Sequence, residues 1–389
     1  MIDDRIVSIL STLVAFDTTS RNSNLELIDY ADAILVSCGA RTERTYDETG
    51  GKANLWATIG PEDEAGIVLS GHTDTVPVDG QAWSTDPFQL VERDGLFYGR
   101  GACDMKGFVA VALSAAHELA GKDLARPVHF AFSYDEEVGC IGVRGLLAEL
   151  ARKPRLPLAC IVGEPTMMEV AIGHKAKRSL KITVEGTSGH SSRAPEFVNA
   201  VEHAARIVVK MREIGGRLAS GAGRDELYDI AHTTAHVGTM HGGTALNIVP
   251  DRCEIACEFR VLPQEDADAL VDEITAFIRQ EIEPEMKAVA PKAGVGIEMT
   301  AAFPGLDMAA DHPLVGQVKR AAGRNGHQKV AYGTEAGLFH ELGIPTIVCG
   351  PGSIAQAHKP DEFIAADQLA ACEDFLAELL FGGADNVPA

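Results

Sequence analysis

Apolar positions at Ile6, Ile9, Leu10, Leu13 and Val14 recur at helical spacing, and Ile28, Ala31, Leu35 and Cys38 repeat the pattern before Gly39. Residues three and four apart share one helix face, so this spacing predicts two opening helices, the second stopped by Gly39. The pattern then changes to short apolar runs bounded by turn residues: Ile67-Val68-Leu69, Val128 to Phe132, Leu158 to Val162 and Ile344 to Cys349. Such runs read as buried strands. Helical stretches at Met105 to Ala120 and Val143 to Leu150 separate them. Strands alternating with helices predict an α/β fold with a mainly parallel sheet and helices on both faces.

Beyond residue 175 the texture differs. Leu180, Ile182 and Val184 alternate, and a helix is predicted from Ala194 to Met211. Strand-like segments occupy His232 to Gly238, Ile248 to Val261 and Gly294 to Thr300, with a second helix from Asp266 to Ile282. One helix per pair of strands predicts a smaller α+β domain, residues 176–300, inserted into a catalytic domain made of residues 1–175 and 301–389. The length of 389 residues suits two cores better than one.

Composition narrows the class. Hydrophobic residues make up 46% and charged residues 23%, as in ordinary soluble proteins. A formal net charge of −22 argues against a protein that tracks a nucleic-acid backbone. No apolar run approaches the length of a bilayer span, so no membrane partner is expected. Met1-Ile2-Asp3-Asp4 puts acids where a secretory signal carries basic residues. Eight scattered cysteines, some inside strand-like runs, suit buried thiols in a reducing compartment. Cytoplasmic location is the resulting expectation.

The chemistry collects at strand ends, where α/β sheets bind their ligands. His72 ends the first run, in Ser70-Gly71-His72-Thr73-Asp74. Asp135-Glu136-Glu137 follows the second, Gly163-Glu164-Pro165 the third, and His358 comes shortly after the fourth. Asp104 precedes a predicted helix. Singly, each has an ordinary reading: Asp104 as a helix cap, the histidines as hydrogen-bonded side chains, Glu136-Glu137 as a solvated loop end. Their convergence points instead to metal. Two histidines and three carboxylates exceed one four-coordinate zinc but suit two divalent ions sharing a bridging carboxylate. Four positive charges meet three negative ones, and one hydroxide closes the balance. Zinc fits the donors, with cobalt or manganese as alternatives. His232 with His236, and Cys253 with Cys257, lie on predicted strands that hold each pair too far apart to share an ion.

These motifs, with Tyr98-Gly99-Arg100-Gly101-Ala102-Cys103-Asp104-Met105-Lys106-Gly107 and Ser188-Gly189-His190-Ser191-Ser192, resemble the M20 metallopeptidase family over nearly the whole chain. The resemblance implies one metal on His72, Glu164 and Asp104 and the other on Asp104, Glu137 and His358. It implies Glu136 as general base, Asp74 orienting His72, and a cis peptide after Asp104. It further implies that the inserted domain is a lid through which two copies form a homodimer. His190 would then reach the partner's site, with Arg260 and Asn247 holding a substrate carboxylate. Lys52-Ala53-Asn54-Leu55, Tyr332-Gly333-Thr334-Glu335-Ala336 and Gly350 to Pro360 resemble the acetylornithine deacetylase branch. That branch implies an N-acyl amino acid substrate and cleavage of N2-acetyl-L-ornithine in arginine biosynthesis, and the charge and motif position of Glu335 suggest it as reader of the distal ammonium. Other branches, such as desuccinylases, aminoacylases and carboxypeptidases, stay open, as does a non-catalytic metal-binding protein.

Overall fold

The computed structural model describes residues 2–382. They divide into two compact units: residues 2–173 with Leu306–Lys329 and 334–382, and His174–Gly305 with Val330–Gly333.

In the first unit, helices form where the apolar spacing requires: Asp4–Ala15, capped by the Asp3 side chain on the Arg5 amide, and Leu25–Ser37. The sheet runs in the order Arg41–Tyr46, Ala53–Ile59, Val128–Ser133, Ile67–His72, Ala159–Pro165, Thr346–Gly350, Ala171–His174 and Leu306–Asp307. Its centre is parallel and its flanks are antiparallel. The central strands are buried along their whole length, as helices on both faces demand.

Neighbouring residues on the His72 strand show the two faces. A β-carbon on Gly71 would press on Met105, just before the Gly107–Leu119 helix, and on Val109 in its first turn. Ser70, which must point the other way, donates to Glu335 at the start of the Ala336–Glu341 helix. Gly163 is fixed by the same packing: its β-carbon would stand 1.9 Å from the Phe108 ring, so only glycine fits.

The second unit is an antiparallel sheet in the order Thr234–Gly242, Arg252–Val261, Ala176–Glu185 and Gly294–Phe303. Alternate side chains, among them Leu180, Ile182, Val184, Ile255 and Phe259, form a core with Ile207, Met211, Ile214, Ile274 and Ile278 of its helices. The longer helix begins later than the spacing predicts, at Ala200 instead of Ala194, and continues to Ser220. Pro195 sits in a 3-10 turn before it, and the Asn199 side chain caps the amides of Val201 and Glu202. The predicted strand from Ile248 to Val261 is split into Ile248–Val249 and Arg252–Val261. No helix among the described residues is long and apolar enough to cross a membrane.

Candidate metal centre and catalytic site

Register brings the candidate ligands level. In the parallel ladders Ser70 lies opposite Ala131 and Val162, and His72 lies opposite Ser133. Two residues beyond Val162, on the same side of its strand, is Glu164. His72 Nε2 lies 3.7 Å from Glu164 Oε1 and 3.1 Å from Asp104 Oδ1. Asp104 turns its other oxygen to the last histidine, with Oδ2 3.5 Å from His358 Nε2. His358 Nε2 is in turn 3.1 Å from Glu137 Oε2. One carboxylate thus stands between two histidines, each with a second carboxylate beside it. Ligand atoms of His72, Asp104 and Glu137 all lie within 4.8 Å of one another, and so do those of His72, Glu136 and Glu164.

Asp104 does not cap the helix. That helix begins at Gly107 with no side-chain cap, and Asp104 sits in the preceding Ala102–Lys106 turn. The Asp104–Met105 peptide is cis, as the resemblance implies. Glu362 holds this turn. It accepts from the amides of Gly101 (3.1 Å), Cys103 (2.9 Å) and Asp104 (3.0 Å), and pairs with Arg100 at 2.7 Å. Both partners of that pair are buried.

Asp74 has a broader role than orienting a histidine. His72 Nδ1 is 2.9 Å from the Asp74 carbonyl and 3.6 Å from its carboxylate. A carbonyl only accepts, so Nδ1 carries the proton and Nε2 is the nitrogen left for a metal. The Asp74 carboxylate accepts from Ser20 Oγ (2.7 Å) and from the amides of Glu136 (3.1 Å) and Glu137 (3.3 Å). It thereby sets the loop that carries both glutamates. Lys52 grips Asp135 at the same loop through both carboxylate oxygens, at 2.6 and 2.7 Å.

The donors themselves show that a cation fits. Burial, then the charge of Asp104, pushes Glu137 up to about 7 against the pull of His358. Burial and Asp104 also raise Glu164 well above the ordinary carboxylate range. Burial raises Glu136 to about 8, with Glu137, Glu335 and Asp74 assisting against His72. Hydrogen bonds to Asp104 and Glu137 lift His358 to about 10. Burial draws His72 down, yet Asp104, Asp74 and Glu164 hold it well above the histidine range. Crowded carboxylates and imidazoles with such shifts mark a site where positive charge is favoured. Their nitrogen and oxygen donors suit divalent ions.

Glu335 is placed differently from the expected ammonium reader. It is fully buried, and its two oxygens accept from Ser70 Oγ and Ser133 Oγ, each at 2.7 Å. It braces two adjacent strand ends inside the protein, and burial raises its carboxyl above the usual range. His190, Asn247 and Arg260 belong to the second unit. His190 and Asn247 are neighbours, since the Ser191 amide donates to the Asn247 carbonyl at 3.0 Å. Arg260 pairs through Nε with Glu258 at 3.0 Å. His236 is exposed on its edge strand, and Cys253 and Cys257 are buried free thiols.

Glu362 and Ser20 were not among the residues singled out from the sequence, and Lys52 was named there only as part of a branch motif. Glu362 follows His358 by four positions, but its contacts with the Asp104 turn span more than 250 residues. The spacing along the chain carries no signal for them.

The family profile described as peptidase family M20/M25/M40 matches residues 68–381. An acetylornithine deacetylase of Myxococcus xanthus is 36% identical over 95% of this chain and 94% of its own length. One from Photorhabdus laumondii is 33% identical over 95% of this chain and 93% of its own. Among solved structures, an M20 family metallo-carboxypeptidase from Sulfolobus solfataricus aligns with a TM-score of 0.78 at 18% identity, covering 97% of this chain and 99% of that one. A Bacillus subtilis protein described as a dinuclear metal binding peptidase of the M20 family aligns with a TM-score of 0.64 at 15% identity, covering 96% of each. The chain belongs to peptidase family M20/M25/M40 and is a metal-dependent amidohydrolase.

Proposed function

We propose that this protein hydrolyses the amide bond of N2-acetyl-L-ornithine to acetate and L-ornithine, a step of arginine biosynthesis. The observation that carries the reaction type is the placement of Glu136, whose carboxylate lies within 4.8 Å of ligand atoms of His72 and Glu164. The acetylornithine deacetylases of 33% and 36% identity support the choice of substrate.

His72, Glu164 and Asp104 would hold one divalent ion, and Asp104, Glu137 and His358 the second. Zinc suits both sites, with cobalt or manganese as alternatives. When bound, the ions supply Lewis acidity toward the acetyl carbonyl and toward water. Glu136 takes a proton from the attacking water. It returns that proton to the nitrogen as the C–N bond breaks, so ornithine leaves as the amine.

His190 is the donor for the developing oxyanion in this reading. The Ser192 amide donates to its Nδ1 at 3.2 Å. A ring nitrogen that accepts is unprotonated, so the neutral imidazole carries its proton on Nε2 and can donate it to an oxyanion. Arg260 and Asn247 would hold the substrate carboxylate. We further propose a homodimer formed through the second unit, with His190 serving the partner's centre. The location proposed is the cytoplasm, which suits eight buried free cysteines.

A panel of N2-acetyl-L-ornithine, N-succinyl-diaminopimelate and a dipeptide, assayed with the metal-loaded protein, tests the substrate. Preference for acetylornithine in kcat/KM is the expected result, and preference for the dipeptide would move the chain to the peptidase branches. Glu136→Gln tests the base. It should keep both metals and lose roughly 10²- to 10⁴-fold in turnover. Full turnover with both metals retained would falsify the assignment.

A further inference from the structure

A carboxylate acting as base must present its oxygen in a fixed direction, because small misplacements at the reacting atoms cost large factors in rate. The main chain of Glu136 is held on both sides. Its amide donates to Asp74 Oδ1 at 3.1 Å, and its carbonyl accepts from the amides of Gly139 (2.9 Å) and Cys140 (2.8 Å). These bonds leave the torsions of the side chain unfixed. The contact that reaches the carboxylate within this turn is the Cys140 thiol, with Sγ 3.2 Å from Glu136 Oε1. The thiol donates and the carboxylate oxygen accepts.

The backbone at Cys140 makes a side chain there costly. Its φ is +54°, in the left-handed region where a β-carbon is crowded and glycine or asparagine is the usual occupant. The residue is nevertheless a cysteine, and it is fully buried. Burial of a small apolar side chain does not by itself call for that conformation. A sulfur that meets the Glu136 carboxylate gives the position a use.

We propose that Cys140 is a positioning residue for the hydrolysis: its thiol steers Oε1 of Glu136 and leaves the second carboxylate oxygen to exchange the proton with water and amine. This rests on the reading of Glu136 as base. A thiol is a weak donor, so it orients the carboxylate without drawing off much of its basicity. No covalent chemistry is assigned to the sulfur.

The test uses the metal-loaded full chain as parent, Cys140→Ala, Cys140→Gly, Cys140→Ser and Glu136→Gln, with kcat, KM, bound metal and Tm measured for each. The glycine variant suits the left-handed backbone and guards against a folding defect peculiar to alanine. The alanine and glycine variants should each lose about tenfold or more in kcat, with KM within about twofold of the parent and metal content unchanged. Serine, which restores a donor, should recover part of the loss. If Glu136→Gln is inactive while the alanine or the glycine variant turns over within about twofold of the parent, the Cys140 proposal fails and the base stands. A loss shared by kcat, KM and metal content overturns it too, because that pattern belongs to a damaged fold. Retained turnover in Glu136→Gln removes the base, and this proposal with it.

Discussion

His129 shows how one side chain couples folding to pH. Its Nδ1 lies 2.9 Å from Thr58 Oγ1, and its ring stacks on Trp56 with centroids 4.8 Å apart. Burial, aided by the charges of Lys153 and Arg41, lowers it from 6.5 to about 4. The unfolded chain therefore takes up a proton as pH falls through 6.5, while the folded chain waits until about 4. Stability contributed by the neutral ring is present above 6.5 and is lost between 6.5 and 4. Denaturant titrations at pH 7 and pH 4 should show the parent losing on the order of 2 kcal/mol more than His129→Gln, after allowance for partial exposure. Equal losses in the two proteins would exclude His129 as a source of acid sensitivity. Glu335 teaches a different lesson at this scale. The motif around it is legible in the sequence, but a charge in a motif does not reveal whether it faces a ligand or two buried serines. The partner is set by tertiary register, which local sequence does not encode.

At the scale of elements, continuous apolar runs identify the central strands, because strands covered on both faces admit few polar residues. Their carboxyl ends could therefore be located, and with them His72, Glu137 and Glu164. The edge strand of the sheet carries no such mark. Arg41–Tyr46 mixes exposed and half-buried residues in the polar sequence Arg-Thr-Glu-Arg-Thr-Tyr. Val91–Arg93, Leu96–Tyr98 and Phe363–Ala365, which form a separate three-stranded sheet, are too short to show a period. The turn bearing Asp104 depends on an equally hidden partner. Glu362 accepts three of its amides and neutralises buried Arg100. Glu362→Ala should cost about 3–5 kcal/mol, since it leaves a buried guanidinium unpaired. It should also weaken metal binding, because Asp104 loses the frame that holds it between His72 and His358. Glu362→Gln, which keeps an acceptor oxygen, should fall between parent and alanine in both measurements. Calorimetric metal titration beside thermal melts checks this. Unchanged metal affinity in a destabilised Glu362→Ala would confine Glu362 to folding.

For the whole molecule, the chain order itself distributes the chemistry: the ligand cluster belongs to the first unit, whereas His190, Asn247 and Arg260 belong to the second. The second unit has two open sheet edges among the described residues, Thr234–Gly242 and Gly294–Phe303. Met240, Leu246 and Ile248 are exposed at or near the first of them. Unpaired edges with apolar neighbours favour association with another chain. In the proposed homodimer, His190 of one copy serves the centre of the other, and this can be separated from service within one copy by complementation. Glu136→Gln and His190→Ala are each expected to be nearly inactive alone. In a mixed dimer, the His190→Ala copy keeps its own Glu136 and receives His190 from its companion, so one centre of two is complete. Random pairing makes half of the dimers mixed, so co-expression at equal levels should restore about a quarter of parental activity. If His190 acts within its own chain, no pairing completes a centre and the mixture stays as inactive as its components.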